Sequence, residues 1–170
     1  MNLQQINIEQ LFELFDANRE NIIADYLTYL RFPSIGADPE YKQGVMDCYA
    51  WVVNYLKESG LAVSEIETGG FPSALGVYNK AGASKPTLLL YGHYDVQPVD
   101  PLEQWTSPPF EPAIRDGKVF ARGAQDNKGQ IFYVMAALRY ILKTTGSLPI
   151  NIKVLVEGEE EVGSPGLERV

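Results

Sequence analysis

Histidine and cysteine are almost missing from this chain: its 170 residues include one of each, His93 and Cys48. A lone cysteine cannot close an internal disulfide, which excludes a disulfide-stapled secreted scaffold and makes a reducing cytoplasm the expected location. Cys48 falls on the apolar stripe of a predicted helix, where a buried, inert thiol is expected. Basic charge is scarce as well. Only 14 Lys and Arg stand against 22 Asp and Glu, a formal charge of −8, and no Lys/Arg cluster with interleaved aromatics occurs. On that balance nucleic acid and anionic membrane are not expected as partners. No apolar run approaches a membrane span, and residues 1–5 have neither a basic n-region nor an apolar h-region, so no secretory leader is expected. Internal repeats and low-complexity segments are absent too. What remains is a composition 45% hydrophobic, enough for one domain with its own core.

The helical signals come first. Asn7 and Gln10 have capping-box spacing, and Ile8, Leu11, Phe12 and Phe15 then recur at helical intervals. A second stripe, Ile22, Ile23, Tyr26, Leu27 and Leu30, continues beyond a break expected at residues 16–18, and Pro33 stops it. Asp38-Pro39 sets an N-cap followed by proline at the first helical position. Tyr41, Val45, Cys48, Val52, Tyr55 and Leu56 form the buried face of that helix, and Gly60 ends it. Strands are expected at residues 62–67 and 74–78. Residues 87–91, apolar and bounded by Pro86 and Gly92, read as a short, fully buried strand in a parallel sheet. The proline- and aromatic-rich loop 97–112 suits either of two roles, shaping a site or packing over a sheet edge. A hairpin turns at Asp116-Gly117 within residues 114–120, followed by a helix over 127–143 and a strand over 150–156.

Histidine and acids gather where these elements meet. His93 and Asp95 follow the strand at 87–91, and open α/β sheets collect ligands beyond the carboxyl ends of their strands. Residues i and i+2 of an extended segment project to the same side, so the imidazole and the carboxylate can be neighbours. That pairing suits a metal-ligand histidine whose second nitrogen is held by an acid; it also suits a histidine in an ordinary strand-to-loop turn. Asp126, immediately before a helix, reads as an N-cap or as a ligand. Glu159, Glu160 and Glu161 after the last strand read as a solvated acidic loop or as part of the same site. Adjacent carboxylates repel unless a cation sits among them, and a divalent metal answers that need. Zinc accepts histidine nitrogen and carboxylate oxygen, one carboxylate can bridge two metals, and an acid off the metal can take a proton from water.

Three stretches carry a resemblance. Gly92-His93-Tyr94-Asp95-Val96-Gln97-Pro98, Arg122-Gly123-Ala124-Gln125-Asp126-Asn127-Lys128-Gly129 and Glu159-Glu160-Glu161-Val162-Gly163-Ser164 resemble, in order and separation, three signatures of one enzyme group. It is the di-zinc aminoacylase, acetylornithine deacetylase and succinyl-diaminopimelate desuccinylase family. Trp105, Pro109-Phe110 and Arg115-Asp116-Gly117-Lys118 point to its dipeptidase branch, which includes carnosine dipeptidases. Tyr94 is bulkier than the residue expected there. The resemblance runs from about residue 29 onward. It implies an α/β fold with a mixed, largely parallel sheet and helices on both faces, zinc exopeptidase-like and here truncated. It further implies two zinc ions, for which manganese or cobalt can substitute. His93 would bind one and Glu161 the other, with Asp126 bridging both and a cis peptide bond following Asp126. Glu160 would be the general base and Asp95 would orient His93. The substrate would be a dipeptide or N-acyl amino acid, its amide bond hydrolysed by zinc-activated water.

Members of the family carry a further acidic ligand, a second histidine ligand and an inserted lid domain used for dimerisation, and this chain has no second histidine. Residues 1–170 are therefore expected to be the N-terminal part of a catalytic domain whose full-length form is a homodimer, and to be inactive alone. Two further readings stay open. One is a non-catalytic truncated remnant or interaction module that retains the fold; the other is a different two-metal exopeptidase, such as an aminopeptidase.

Overall fold

A computed structural model describes residues 7–169; residues 1–5, read above for a leader, lie outside the described residues. Helix α1 spans Ile8–Leu30 and runs without the break expected at residues 16–18. Polar side chains there satisfy one another on the helix surface: Asn18 Nδ2 donates to the Leu14 carbonyl at 2.8 Å, and Arg19 pairs with Asp16. Asn7 is the N-cap, accepting from the Glu9 N–H at 3.0 Å rather than joining Gln10 in a reciprocal box. Asp38 caps a single 3-10 turn, Pro39–Tyr41, which feeds α2 at Lys42–Glu58. The end of α2 closes by a Schellman pair, Gly60 N–H to Lys57 O and Leu61 N–H to Leu56 O. Helix α3 spans Lys128–Thr145 and ends on Gly146.

The strands are β1 Ala62–Ile66, β2 Ser73–Tyr78, β3 Thr87–His93, β4 Ala113–Arg115, β5 Lys118–Phe120 and β6 Asn151–Glu157. Strands β4 and β5 form the separate hairpin, with Asp116 and Gly117 both at positive φ, as a tight type I′ turn requires. The main sheet has the order β1-β2-β6-β3. Its mixed character is as expected, with the parallel component confined to β3–β6; β1–β2 and β2–β6 are antiparallel. Alternation along the strands puts Ala74, Tyr78, Ile152, Val154 and Val156 on one face. Against them pack Val45, Cys48, Val52 and Leu56 of α2 and Ile131 and Met135 of α3, with Tyr29 of α1 stacked on Trp51 at 4.6 Å. Among the described residues, α1, α2 and α3 therefore gather on that face. The opposite face presents Leu89 and Tyr91, 57% and 50% exposed.

Strand β3 corrects one expectation. It pairs in parallel, as its apolar run suggested, but it is not fully buried: it has a single neighbour, β6, and its outer edge is open among the described residues. Apolar content alone cannot distinguish a central strand from one whose second neighbour is missing. Cys48, by contrast, is fully buried as expected, and burial pushes its thiol pKa up.

Arg139 of α3 gathers the helix ends, donating to the Tyr55 carbonyl, Ser59 Oγ, Glu58 and Asp25 while lying 3.6 Å from the centre of the Tyr55 ring. Beyond Gln97, which meets Glu161, loop 97–112 resolves into packing. Trp105 and Phe110 cover a small cluster of Ile35, Val96 and Val99, and Trp105 Nε1 donates to the Val99 carbonyl at 2.8 Å.

Candidate metal centre

Parallel pairing of β3 with β6 in the register His93↔Glu157 brings the carboxyl ends of both strands to one edge of the sheet. His93 is the last residue of β3, and the loop after β6 carries Glu159, Glu160 and Glu161, so residues far apart in sequence become neighbours. Gly158 makes the turn feasible. A Cβ there would lie 2.3 Å from the Tyr94 ring, so only glycine lets the chain pass. Tyr94, one position from His93, points to the opposite side into the core. It is fully buried, its hydroxyl donates to the Pro72 carbonyl at 2.7 Å, and its bulk stays away from the ligand cluster.

Asp95 is fully buried and joins the two strand ends. Its Oδ1 lies 3.2 Å from His93 Nδ1, and its carboxylate accepts the Glu160 N–H at 3.3 Å and the Glu161 N–H at 3.0 Å. The Asp95 backbone carbonyl also lies 3.1 Å from Nδ1. Both neighbours of Nδ1 are acceptors, so that nitrogen carries a proton and Nε2 presents its lone pair in the neutral ring. Burial disfavours the imidazolium, but the Asp95 carboxylate outweighs it, with Glu160 adding, and the His93 pKa is pushed up to about 9.

Nε2 faces the acids. Asp126 Oδ1 lies 3.3 Å away and Glu160 Oε2 3.6 Å away. Asp126 stands before α3 without capping it; Asn127 is the N-cap residue and makes no side-chain cap bond. Asn127 Oδ1 instead accepts the His93 N–H at 3.2 Å, and the Asp126–Asn127 peptide is cis. One donor atom from each of His93, Asp126 and Glu161 lies within 4.8 Å of the others. Among the described residues no Lys or Arg pairs with Asp126, Glu160 or Glu161. An imidazole nitrogen with convergent carboxylates and no protein cation fits a divalent metal ion by both charge and donor type.

The five residues expected at the site, His93, Asp95, Asp126, Glu160 and Glu161, are thus all brought together, whereas Glu159 turns away. Its carboxylate meets Thr68 Oγ1 at 3.3 Å and packs against Gly70. Two supporting residues were not foreseen. Lys128 is fully buried beneath the loop and donates from Nζ to the Tyr29 and Phe32 carbonyls at 3.3 and 2.7 Å, which supplies the cation that the last turn of α1 lacks. Burial pushes its pKa down. Gln97 donates to Glu161, a contact that the alternation His93, Asp95, Gln97 signals once the segment is read as extended.

An α/β sheet with a histidine and carboxylates converging at its strand ends is suited to holding a divalent metal ion. Residues 89–170 match the model of Peptidase family M20/M25/M40. It is 29% identical over 175 residues to mouse Beta-Ala-His dipeptidase, covering 96% of this chain and 36% of that protein. It is 35% identical over 147 residues to Cysteinylglycine-S-conjugate dipeptidase of Corynebacterium striatum, covering 86% of this chain and 32% of the relative. The structure of human carnosine dipeptidase 1 superposes with a TM-score of 0.89 at 28% identity, over 97% of this chain and 37% of that one. The chain therefore spans about a third of the length of these relatives. No described helix is long and apolar enough to cross a membrane.

Proposed function

We propose that this chain supplies part of the active site of a metal-dependent amidohydrolase acting on a dipeptide or N-acyl amino acid. The observation that carries the reading is the convergence of His93, Asp126 and Glu161 within 4.8 Å, with Glu160 at the rim of the cluster. Two zinc ions are proposed, with manganese or cobalt as substitutes: His93 and Asp126 serve one, Asp126 and Glu161 the other. A divalent ion held there would polarise the scissile carbonyl and acidify water. Glu160 takes the proton from the attacking water and returns it to the leaving nitrogen. Asp95 fixes the His93 tautomer and, through the Glu160 and Glu161 N–H groups, keeps base and ligand in register.

Each ion then has two ligands from this chain, one short of the three usual for catalytic zinc. We assign residues 1–170 to the N-terminal part of the catalytic domain, the remaining ligands and a lid belonging to sequence corresponding to the rest of the relatives' length. The whole protein is proposed to be a cytoplasmic homodimer.

Two variants separate the roles. Glu160→Gln should leave divalent-metal binding by the chain nearly unchanged, because Glu160 is assigned to the proton, whereas Glu161→Gln should weaken it. In the whole enzyme Glu160→Gln should cost roughly 10²–10⁴-fold in turnover. Metal loss confined to the Glu160 variant would reverse the two assignments. Assayed alone on dipeptides and N-acyl amino acids with added zinc, manganese or cobalt, the chain should show no metal-dependent turnover. Turnover abolished by His93→Ala would mean that it completes its site by another route.

A further inference from the structure

The segment leaving β3 directs alternate side chains to one target. His93 presents Nε2 to the acids, and Asp95 holds the N–H groups of Glu160 and Glu161. Gln97, two residues on, donates from Nε2 to Glu161 Oε2 at 2.7 Å and to the Glu161 backbone carbonyl at 3.3 Å. Glu161 is thereby gripped at its N–H, its carbonyl and its carboxylate. Glu160 is held at its backbone alone, its N–H donating to Asp95 and its carbonyl accepting the Gly163 N–H at 2.9 Å, and among the described residues its carboxylate meets no donor except His93, at 3.6 Å.

We propose that Gln97 is a positioning residue that makes Glu161, and not its neighbour Glu160, the metal ligand of the pair. The proposal rests on the reading of Glu161 as a ligand given above. The chemistry of an amide suits the task. Its two N–H donors can serve the carboxylate and the carbonyl together, which fixes the Glu161 side chain relative to its own backbone. A lysine or arginine at this position would also bond the carboxylate, but its charge would compete with the incoming cation. A glutamate would repel the ligand it has to hold. The neutral donor orders Glu161 while leaving its negative charge available. Glu160, without such a tether, keeps the freedom to swing that a proton carrier needs.

Gln97 is exposed, so its replacement should not disturb the core. The test uses Gln97→Met, which keeps the length and removes both donors, with cobalt(II) alone as the probe. Affinity is read by competition with a chromophoric chelator, and coordination by the visible spectrum of the bound ion. Groups that hold a metal ligand commonly change affinity 10- to 100-fold when removed. Gln97→Met should weaken cobalt binding by roughly that factor and alter the spectrum, with the thermal midpoint unchanged. In a Glu161→Ala background it should have no further effect on cobalt affinity, since the carboxylate that Gln97 positions is already gone. Equal affinity of wild type and Gln97→Met would overturn the inference and leave the proposed function standing, provided that His93→Ala still weakens binding. Insensitivity to His93→Ala as well would overturn both. A tenfold loss on Gln97→Met in both backgrounds would trace the effect to the shape of the loop, which also overturns the assignment.

Discussion

Replacing Asp95 by asparagine removes one charge beside His93 and nearly preserves the shape of the side chain. In the metal-free chain the His93 pKa is pushed from 6.5 up to about 9; burial pulls it down, and the Asp95 carboxylate more than reverses that pull. With the carboxylate gone, only the carbonyl of residue 95 and Glu160 still oppose burial, and the midpoint should fall well below that of wild type. At 1.36 kcal/mol per pKa unit, the rise from 6.5 to about 9 corresponds to about 3 kcal/mol of preference for the imidazolium in the folded state. The folded value lies above the unfolded one, so this stability is fully present below pH 6.5 and is lost as the pH rises through about 9. Asparagine carries a second penalty. One of its two terminal atoms is an NH2 group, and it must face either His93 Nδ1–H or a glutamate N–H, all of them donors, at a cost of about 1–3 kcal/mol. The assay is simple because His93 is the only histidine: its imidazole C–H resonance can be followed by proton NMR against pH, with a chelator present. Denaturant unfolding at pH 6 and at pH 9.5 supplies the stability arm. Wild type should titrate near 9 and lose stability across that interval, whereas Asp95→Asn should titrate well below wild type and lose much less. An unchanged midpoint in Asp95→Asn would refute the electrostatic role of Asp95.

Two further variants probe the support of the site. Lys128→Met leaves the Tyr29 and Phe32 carbonyls without their buried donor, and should lower the unfolding free energy by about 1–3 kcal/mol in a denaturant titration; a neutral result would mean that relief of the buried charge offsets the lost bonds. Gly158→Ala would set a Cβ 2.3 Å from the ring and hydroxyl of buried Tyr94, and should destabilise the chain by about 1–3 kcal/mol or more. A well-folded Gly158→Ala with wild-type thermal midpoint would show that the loop after β6 yields at no cost.

Much of the site was legible in the sequence because each residue stands at the end of an element with a clear signal. The apolar run before His93 and the strand before the glutamates fixed which residues could meet, and i, i+2 spacing placed Asp95 beside the imidazole. What pairs with a strand was less legible. The run at residues 87–91 looks like a central strand, yet β3 lies at the sheet edge, because apolar residues record what a strand is suited to contact rather than what this chain brings to it. The continuity of α1 across residues 16–18 was hidden for a related reason. A polar surface turn weakens the apolar stripe without weakening the helix. Lys128 and Gln97 were missed because their roles depend on contacts with segments distant in sequence, the end of α1 and the loop after β6.

Zinc retention by equilibrium dialysis is the most direct test that His93, Asp126 and Glu161 form one divalent-metal centre. The wild-type chain should retain zinc saturably, His93→Ala and Asp126→Ala should lose most of it, and Glu159→Ala should match wild type because that side chain turns toward Thr68. Equal zinc retention by wild type and His93→Ala would contradict the account.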